Sequence, residues 1–213
     1  MIPILYDKTG NTKITNLTDC IQCIVTEERN GMFEAELVYS VHSSNSDKLI
    51  RGNIIVADAN DTLKEQKFRI YKISKPINGR IKILARHISF DMARDVVTGL
   101  VIDNQSCEYA LNKLFSSSQF SQHFIGHSDI VNSQSTVING TTHILKAIVG
   151  VEGSIIDTFG TSPEILRDNY DFYIYENRGH DNGVTIEYGK NLTGLNLDTD
   201  DSNMVTRIRA IAK

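Results

Sequence analysis

The chain has 213 residues, enough for one large domain or two small ones with a sizeable core. It is 40% hydrophobic and 23% charged, with a net charge of −4. That balance argues against a dedicated nucleic-acid binder, which carries a basic face. No apolar run approaches the roughly 20 residues that span a bilayer. The start, Met1-Ile-Pro-Ile-Leu-Tyr-Asp-Lys8, lacks the basic and long apolar segments of a signal peptide. Three cysteines do not suggest a disulfide framework, so a reducing cytoplasm is the expected place of synthesis.

The first hundred residues alternate like strands. A short strand over 2–6 is closed by the turn-rich Asp7-Lys-Thr-Gly10. Strands over 21–28 and 32–39 flank Asn30-Gly31, whose residues supply the positive φ angles of a tight hairpin turn. A polar loop over 42–47 precedes a strand over 53–57. A long hairpin follows, with arms over 67–74 and 81–86 joined through Pro76-Ile-Asn-Gly79. On its second arm Ile81, Ile83 and Ala85 share one face, the period-two mark of a sheet with one core side. Five or six short strands with tight turns favour a small barrel or rolled sheet.

The pattern changes after about Thr98. Ser106 is a plausible N-cap for a helix with the stripe Ala110, Leu111, Leu114 and Phe115, ended by Ser116-Ser-Ser118. Residues 119–139 are polar with scattered apolar side chains and read as loop or irregular strand. Thr142 caps a second helix through Ile144, Leu145, Ile148 and Val149, and Ser154 starts a short third turn over 155–159. Strand structure returns over 164–167, with Asp168-Asn169 as the turn and 170–176 as the partner. Tyr170 and Phe172 would share one face and Tyr173 and Tyr175 the other, which suggests burial on both sides or a covering partner, with core the stronger reading. A loop over 177–183 leads to strands over 184–188 and 192–197 around Gly-Lys-Asn, an acidic loop over 198–203 and a further strand entered at Met204.

The closing segment Ile186-Glu-Tyr-Gly-Lys-Asn-Leu192, with its acidic Asp198-Thr-Asp-Asp-Ser loop, resembles the N-terminal module of phage and prophage minor tail proteins, the tail-tip hub or prophage tail endopeptidase family. Further pieces are similar to that family in the same order: Asn30-Gly-Met-Phe-Glu-Ala-Glu-Leu37, Gln66-Lys-Phe-Arg-Ile-Tyr-Lys-Ile73, Ala85-Arg-His-Ile-Ser-Phe-Asp91, the element from Lys146 to Asp157, and Asn177-Arg-Gly-His-Asp181. The resemblance implies an α+β, β-dominated fold. A barrel-like β domain over 1–98 would precede a mixed α/β domain over 99–182, and 183–213 would begin a returning barrel segment. It further implies a structural, non-enzymatic part of a baseplate hub at the tail tip of the virion, with a tail-associated peptidoglycan endopeptidase or a cell-wall carbohydrate-binding baseplate module as the alternatives. That hub would be a homotrimer docked to tail tube, distal tail and other baseplate proteins, with DNA passing through the ring without specific binding and no membrane partner. Family members usually continue beyond the point matched by Lys213, so the chain is expected to be an N-terminal fragment or an unusually short member. A peptidoglycan hydrolase, where present in the family, lies in a separate later region.

No residue carries chemistry convincingly, and no catalytic, cofactor or metal residue is assigned. Cys20-Ile-Gln-Cys23 has ligand-like spacing, but no second Cys or His pair follows, and positions three apart on a strand point to opposite faces. His123 and His127 lack the intervening glutamate of a zinc protease, and Gly126 disfavours a helix there. The loop from Asp198 has Asn203 and Arg209 where a calcium-binding EF-hand needs Gly and Glu; a solvated turn is the default and a weaker calcium site the alternative. Cys107 begins a helix, where a dipole could lower its pKa, but it has no paired His. His87 reads as a hydrogen-bonded structural residue, and Gly150-Val-Glu-Gly153 lacks the Gly-Lys-Ser/Thr of a phosphate loop.

Overall fold

Alternation over the first hundred residues does become a sheet. In the computed structural model, which describes residues 1–74, 78–160, 162–179 and 182–197, the strands are β1 Ile4–Tyr6, β2 Lys13–Asn16, β3 Cys20–Glu27, β4 Phe33–Ser40, β5 Ile54–Ala57, β6 Gln66–Ile73 and β7 Arg80–His87. They form one antiparallel sheet in the order β2-β1-β5-β6-β7-β4-β3. The β3–β4 turn places Asn30 at φ 53°, the left-handed conformation that Asn tolerates best among residues with a Cβ. Gly31 does not share it as expected: the connection runs over 28–32 and is closed by Gly31 N–H on the Glu28 carbonyl. The turn that joins β6 to β7 lies partly outside the described residues.

The two edge strands of this sheet, β2 and β3, are consecutive in the chain and separated only by Leu17, Thr18 and Asp19. Seven flat strands would hold their outer members about 29 Å apart. Four Cα steps reach at most about 15 Å. The sheet is therefore rolled. Following the antiparallel pairings round the sheet, β2 and β3 run in the same direction, as two halves of one strand that serves both edges. Leu17, fully buried, marks the crossover; its N–H donates to the Pro3 carbonyl and its own carbonyl accepts from Cys20 N–H. Among the described residues no ladder joins β2 to β3, so the expected barrel is a rolled, open sheet and not a closed barrel.

The inner face carries Leu5, Leu17, Phe33, Leu37, Phe68, Ile70 and Ile83, all essentially inaccessible. Each such side chain contributes about 1.5–3 kcal/mol by leaving water. Ile81, Ile83 and Ala85 are buried on one face as the alternation requires. β5 is apolar throughout because it is covered twice: Ile55 and Ala57 join the first core, while Ile54 and Val56 pack with Ile88 from the 3₁₀ segment Ile88–Arg94.

The second half builds a separate core from β8 Val96–Gln105, α1 Cys107–Ser116, β9 Ile125–Ser128, β10 Gln134–His143, α2 Ile144–Ile148, α3 Ile155–Phe159, β11 Glu164–Asp168 and β12 Asp171–Tyr175. Ser106 and Ser154 cap α1 and α3, accepting from Tyr109 N–H and Asp157 N–H. The stripe Ala110, Leu111, Leu114 and Phe115 is wholly buried. The second helix starts one residue later than expected: Thr142 is still in β10 and His143 holds the cap position without a side-chain bond. β8 and β10 pair as a two-stranded ribbon, and β11-β12-β9 form a small mixed sheet in which β9 runs parallel to β12. The residues read as irregular over 119–139 thus contain β9 and most of β10.

Asp95 ties the ribbon to the loop after α1. Its buried carboxylate accepts from Val96, Phe120 and Ser121 N–H and from Ser121 Oγ at 2.8–3.0 Å. Burial alone would raise this carboxyl, but the bonds from Ser121 and its neighbours outweigh it and hold the pKa below the usual range.

Residues 1–178 are one compact unit and 179–213 another. In the latter, the expected Gly-Lys-Asn turn is present. The N–H groups of Lys190, Asn191 and Leu192 converge on the Glu187 carbonyl, and the Asn191 amide bonds Glu187 N–H and the Thr185 carbonyl. The strands expected on either side do not form a ladder; a single bridge joins Tyr188 to Leu192. Val184, Ile186, Tyr188, Leu195 and Leu197 are exposed, and among the described residues no strand lies beside them to bury one face. The acidic loop over 198–203 and the strand from Met204 lie outside the described residues.

Gly126 sets how closely α1 approaches β9. A Cβ at this position would stand 2.5 Å from Leu111 Cβ. Gly126→Ala is expected to lower stability by about 1–3 kcal/mol through overpacking. The urea midpoint should fall with an unchanged slope; an unaltered midpoint would show that α1 and β9 are not packed this tightly.

Candidate interaction surface

Cys20 and Cys23 are the first residues whose placement departs from strand arithmetic. A bulge between Cys20 and Gln22 shifts the pleat by one residue, so both thiols pack partly against the same core instead of pointing to opposite faces. Burial raises both, and with the neighbouring Cys20 it pushes Cys23 up to about 11. Burial likewise pushes Cys107 up to about 11, the reverse of what a helix N-terminus would do to an activated thiol. His123 and His127 are not brought together: His123 packs edge-on to Tyr170, while His127, on β9, stacks on Tyr173 and bonds Asp171 at 2.9 Å. Gly150 and Gly153 form the bend between α2 and α3, with φ of 118° and 77°. Among the described residues no cluster of three or more His, Cys, Asp or Glu is placed to hold a metal ion, and no helix is long and apolar enough to cross a membrane.

The tyrosines divide more sharply than alternation implies. Phe172 and Ile174 are fully buried in the second core, and Tyr170 is drawn into the turn with Asn169. Tyr173 and Tyr175 lie on the outward face of β12, half-exposed and parallel at 5.5 Å, and continue the stack begun by His127. This gives a row of three rings along one surface.

Unpaired backbone is the other exposed resource. β2 and β3 are edges of the rolled sheet, with Ile21 and Ile24 outward on β3. The β8–β10 ribbon has an outward cross-strand pair, Val101 and Val137, each at least half exposed. Gly99 (φ 64°) and Gly140 (φ 71°) form a bulge that lets both Val97 and Leu100 face inward. Such edges are templates for pairing with another chain. β9 is different: the Asn112 amide donates to the Gly126 carbonyl at 2.8 Å and accepts from Gly126 N–H at 2.9 Å, standing in for a neighbouring strand.

Besides apolar contacts from Leu166 and Tyr170, a polar network holds the rolled sheet to the second core. Asn30, at the β3–β4 tip, donates to the Pro163 carbonyl and accepts from Ile165 N–H at 2.8 and 2.7 Å. Arg29 pairs with Glu164, Arg178 with Glu27, and Arg167 donates to the Gly31 carbonyl. On β6, Gln66 donates to Asp168 and accepts from Asn169 N–H, while Asn169 accepts from Lys67 N–H. His87 completes this network, stacked on Phe33 at 4.5 Å. Its Nδ1 accepts from Ser89 N–H and lies 2.9 Å from Ser89 Oγ; its Nε2 is 3.2 Å from Gln66 Oε1. Because the Gln66 oxygen is an acceptor the ring carries a proton on Nε2, and because Nδ1 accepts from Ser89 N–H it carries none there, so the ring is neutral.

No family model matches the chain, and no curated protein matches it. Among solved structures, the fold is similar to that of prophage tail protein gp18 from Listeria monocytogenes EGD-e. The TM-score is 0.62 at 16% identity over 82% of this chain and 50% of that one. A tail protein from Neisseria meningitidis MC58 aligns over the same shares with a TM-score of 0.45 and 9% identity. The chain therefore has a fold found in a prophage tail protein and spans about half the length of these structures.

The neutral ring sets a pH dependence. Burial first, and the positive charge of Arg167 second, hold His87 well below its ordinary value. The unfolded chain takes up its proton near pH 6.5, before the native state can, so stability is full above that pH and falls below it. The loss from this residue is at most about 1.4 kcal/mol per pH unit. Urea midpoints measured from pH 7.5 to 5 should decline, and the decline should be shallower in His87→Gln; equal slopes would refute the role given to His87.

Proposed function

We propose that this chain is a structural component of a phage or prophage tail, forming part of a tail-tip baseplate hub. The observation that carries the reading is the shared fold with prophage tail protein gp18, joined to the in-order sequence resemblance described above. In this reading the rolled sheet over 1–98 and the mixed domain over 99–182 are the two building blocks, and 183–213 opens a further barrel segment. The intact protein trimerises at the distal end of the tail tube, contacts distal tail and other baseplate proteins, and carries effector or receptor-binding regions. DNA passes through the ring without specific contacts. The unpaired edges of β2, β3 and the β8–β10 ribbon are the surfaces through which neighbouring subunits would add. Gold-labelled antibody against this chain should decorate the distal end of tails from an induced lysate in negative-stain micrographs. Intact tails that label with a control antibody but carry no gold at the tip would sink the hub reading.

A second reading is favoured by the row of His127, Tyr173 and Tyr175: a baseplate module that binds cell-wall carbohydrate on aromatic rings. It requires saturable binding of the chain to purified cell walls, reduced at least severalfold in the double variant Tyr173→Ala/Tyr175→Ala. Undiminished binding in the variant, or no binding at all, removes it.

A further inference from the structure

The outward side of β6 and β7 gathers positive charge that the fold does not fully use. Arg69 and Arg86 stand directly opposite each other in the ladder, an arrangement that is unfavourable between like charges. Arg69 is consumed structurally: it pairs with Asp91 at 2.8–3.0 Å and donates to the carbonyls of Lys8 and Gly52. Arg86 is only partly satisfied, lying over the Tyr71 ring at 4.5 Å and 3.7 Å from Glu34, whose carboxylate also accepts from Tyr71 Oη. Around this pair run adjoining grooves that share Tyr71 and are lined by the exposed Arg51, Lys72 and Arg94. None of these three has an acidic partner among the described residues. The chain as a whole carries −4, so this concentration of cations leaves the remaining surface more acidic still.

We infer that this groove docks an acidic segment of a partner protein, with Arg51 and Arg94 as the principal carboxylate receptors. Guanidinium groups bind carboxylates through paired hydrogen bonds, and exposed arginines facing an open groove are free to do so. The layout favours spaced carboxylates over a phosphodiester chain for two reasons. Asp91 lines the groove and Glu34 contacts its lining residues Tyr71 and Arg86, so a backbone with a charge at every nucleotide would bring phosphates toward both carboxylates. The two rings at the groove, Tyr71 and Phe90, each carry a guanidinium over one face, from Arg86 and Arg167, which disfavours stacking of a base. A protein segment can set its carboxylates against the unpaired arginines and its neutral residues against Asp91 and Glu34. The inference stands on this charge layout and is independent of the tail reading.

The test is fluorescence anisotropy of the 213-residue chain with a fluorescein-labelled peptide of alternating Glu and Ser, alongside DNA oligonucleotides of matched charge. The peptide should bind saturably, weaken as salt is raised, and lose about tenfold or more in affinity to Arg51→Gln/Arg94→Gln. Both side chains are exposed and unbonded among the described residues, so the variant should keep the parent's urea midpoint. Absence of peptide binding, unchanged binding by the variant, or tighter binding of DNA would overturn the proposal. Salt-sensitive self-association in sedimentation, abolished by the same variant, would assign the groove to a second copy and equally overturn it.

Discussion

Three residues, Leu17, Thr18 and Asp19, carry the chain from one edge of a seven-stranded sheet to the other. Almost everything else in the first half follows from that short crossover. A tether this short is incompatible with a flat sheet, so the sheet must roll, and rolling is what encloses Phe33, Phe68 and Leu37 on a single inner face. It also exposes the outer faces of β6 and β7 as a convex surface on which charged residues can gather. The crossover is bonded on both sides, by Pro3 and Cys20, and its one apolar residue is fully buried.

The junction between the two cores obeys a different physics. Hydrophobic packing fills each core, and besides the apolar contacts of Leu166 and Tyr170 the tie between them is a set of amide, carboxylate and guanidinium contacts between residues more than a hundred positions apart. Such bonds are directional, so they fix the angle at which the β11–β12 hairpin meets the rolled sheet more sharply than apolar contact would. They are also exacting: each buried donor or acceptor in the set depends on its neighbours for satisfaction. Among the described residues one group is left over, the Arg167 Nε, buried without a hydrogen-bond partner, its guanidinium beside Phe90.

Features with a local cause were legible in the sequence. Asn30-Gly31 announced the first hairpin, the Ile81, Ile83 and Ala85 alternation announced β7, and Ser106 with the following stripe announced α1. The strands that escaped notice share a physical reason: their inner faces do not alternate cleanly. β2 offers only the half-buried Ile14; β8 changes parity at Gly99; β10 turns Thr136 inward, where its hydroxyl bonds the Gly153 carbonyl. The bulge that unites Cys20 and Cys23 was invisible for the same reason. Of the surfaces considered for function, the aromatic row was half legible, since alternation separates Phe172 from Tyr173, but the partnership with His127 depends on a parallel strand pairing that no local pattern announces. The cationic groove was wholly illegible, because Arg51, Arg86 and Arg94 come from segments that meet only in the folded sheet.

The Asn112 amide has one more consequence. By occupying both backbone groups of Gly126, it terminates the three-stranded sheet on the β9 side, and Asn30 performs the matching task on the β11 side by accepting from Ile165 N–H. Two side-chain amides thus act as chain stoppers. A sheet terminated in this way offers an incoming strand no free backbone group at Gly126 or Ile165, whose carbonyl accepts from Arg178, whereas the rolled sheet and the ribbon keep their edges open.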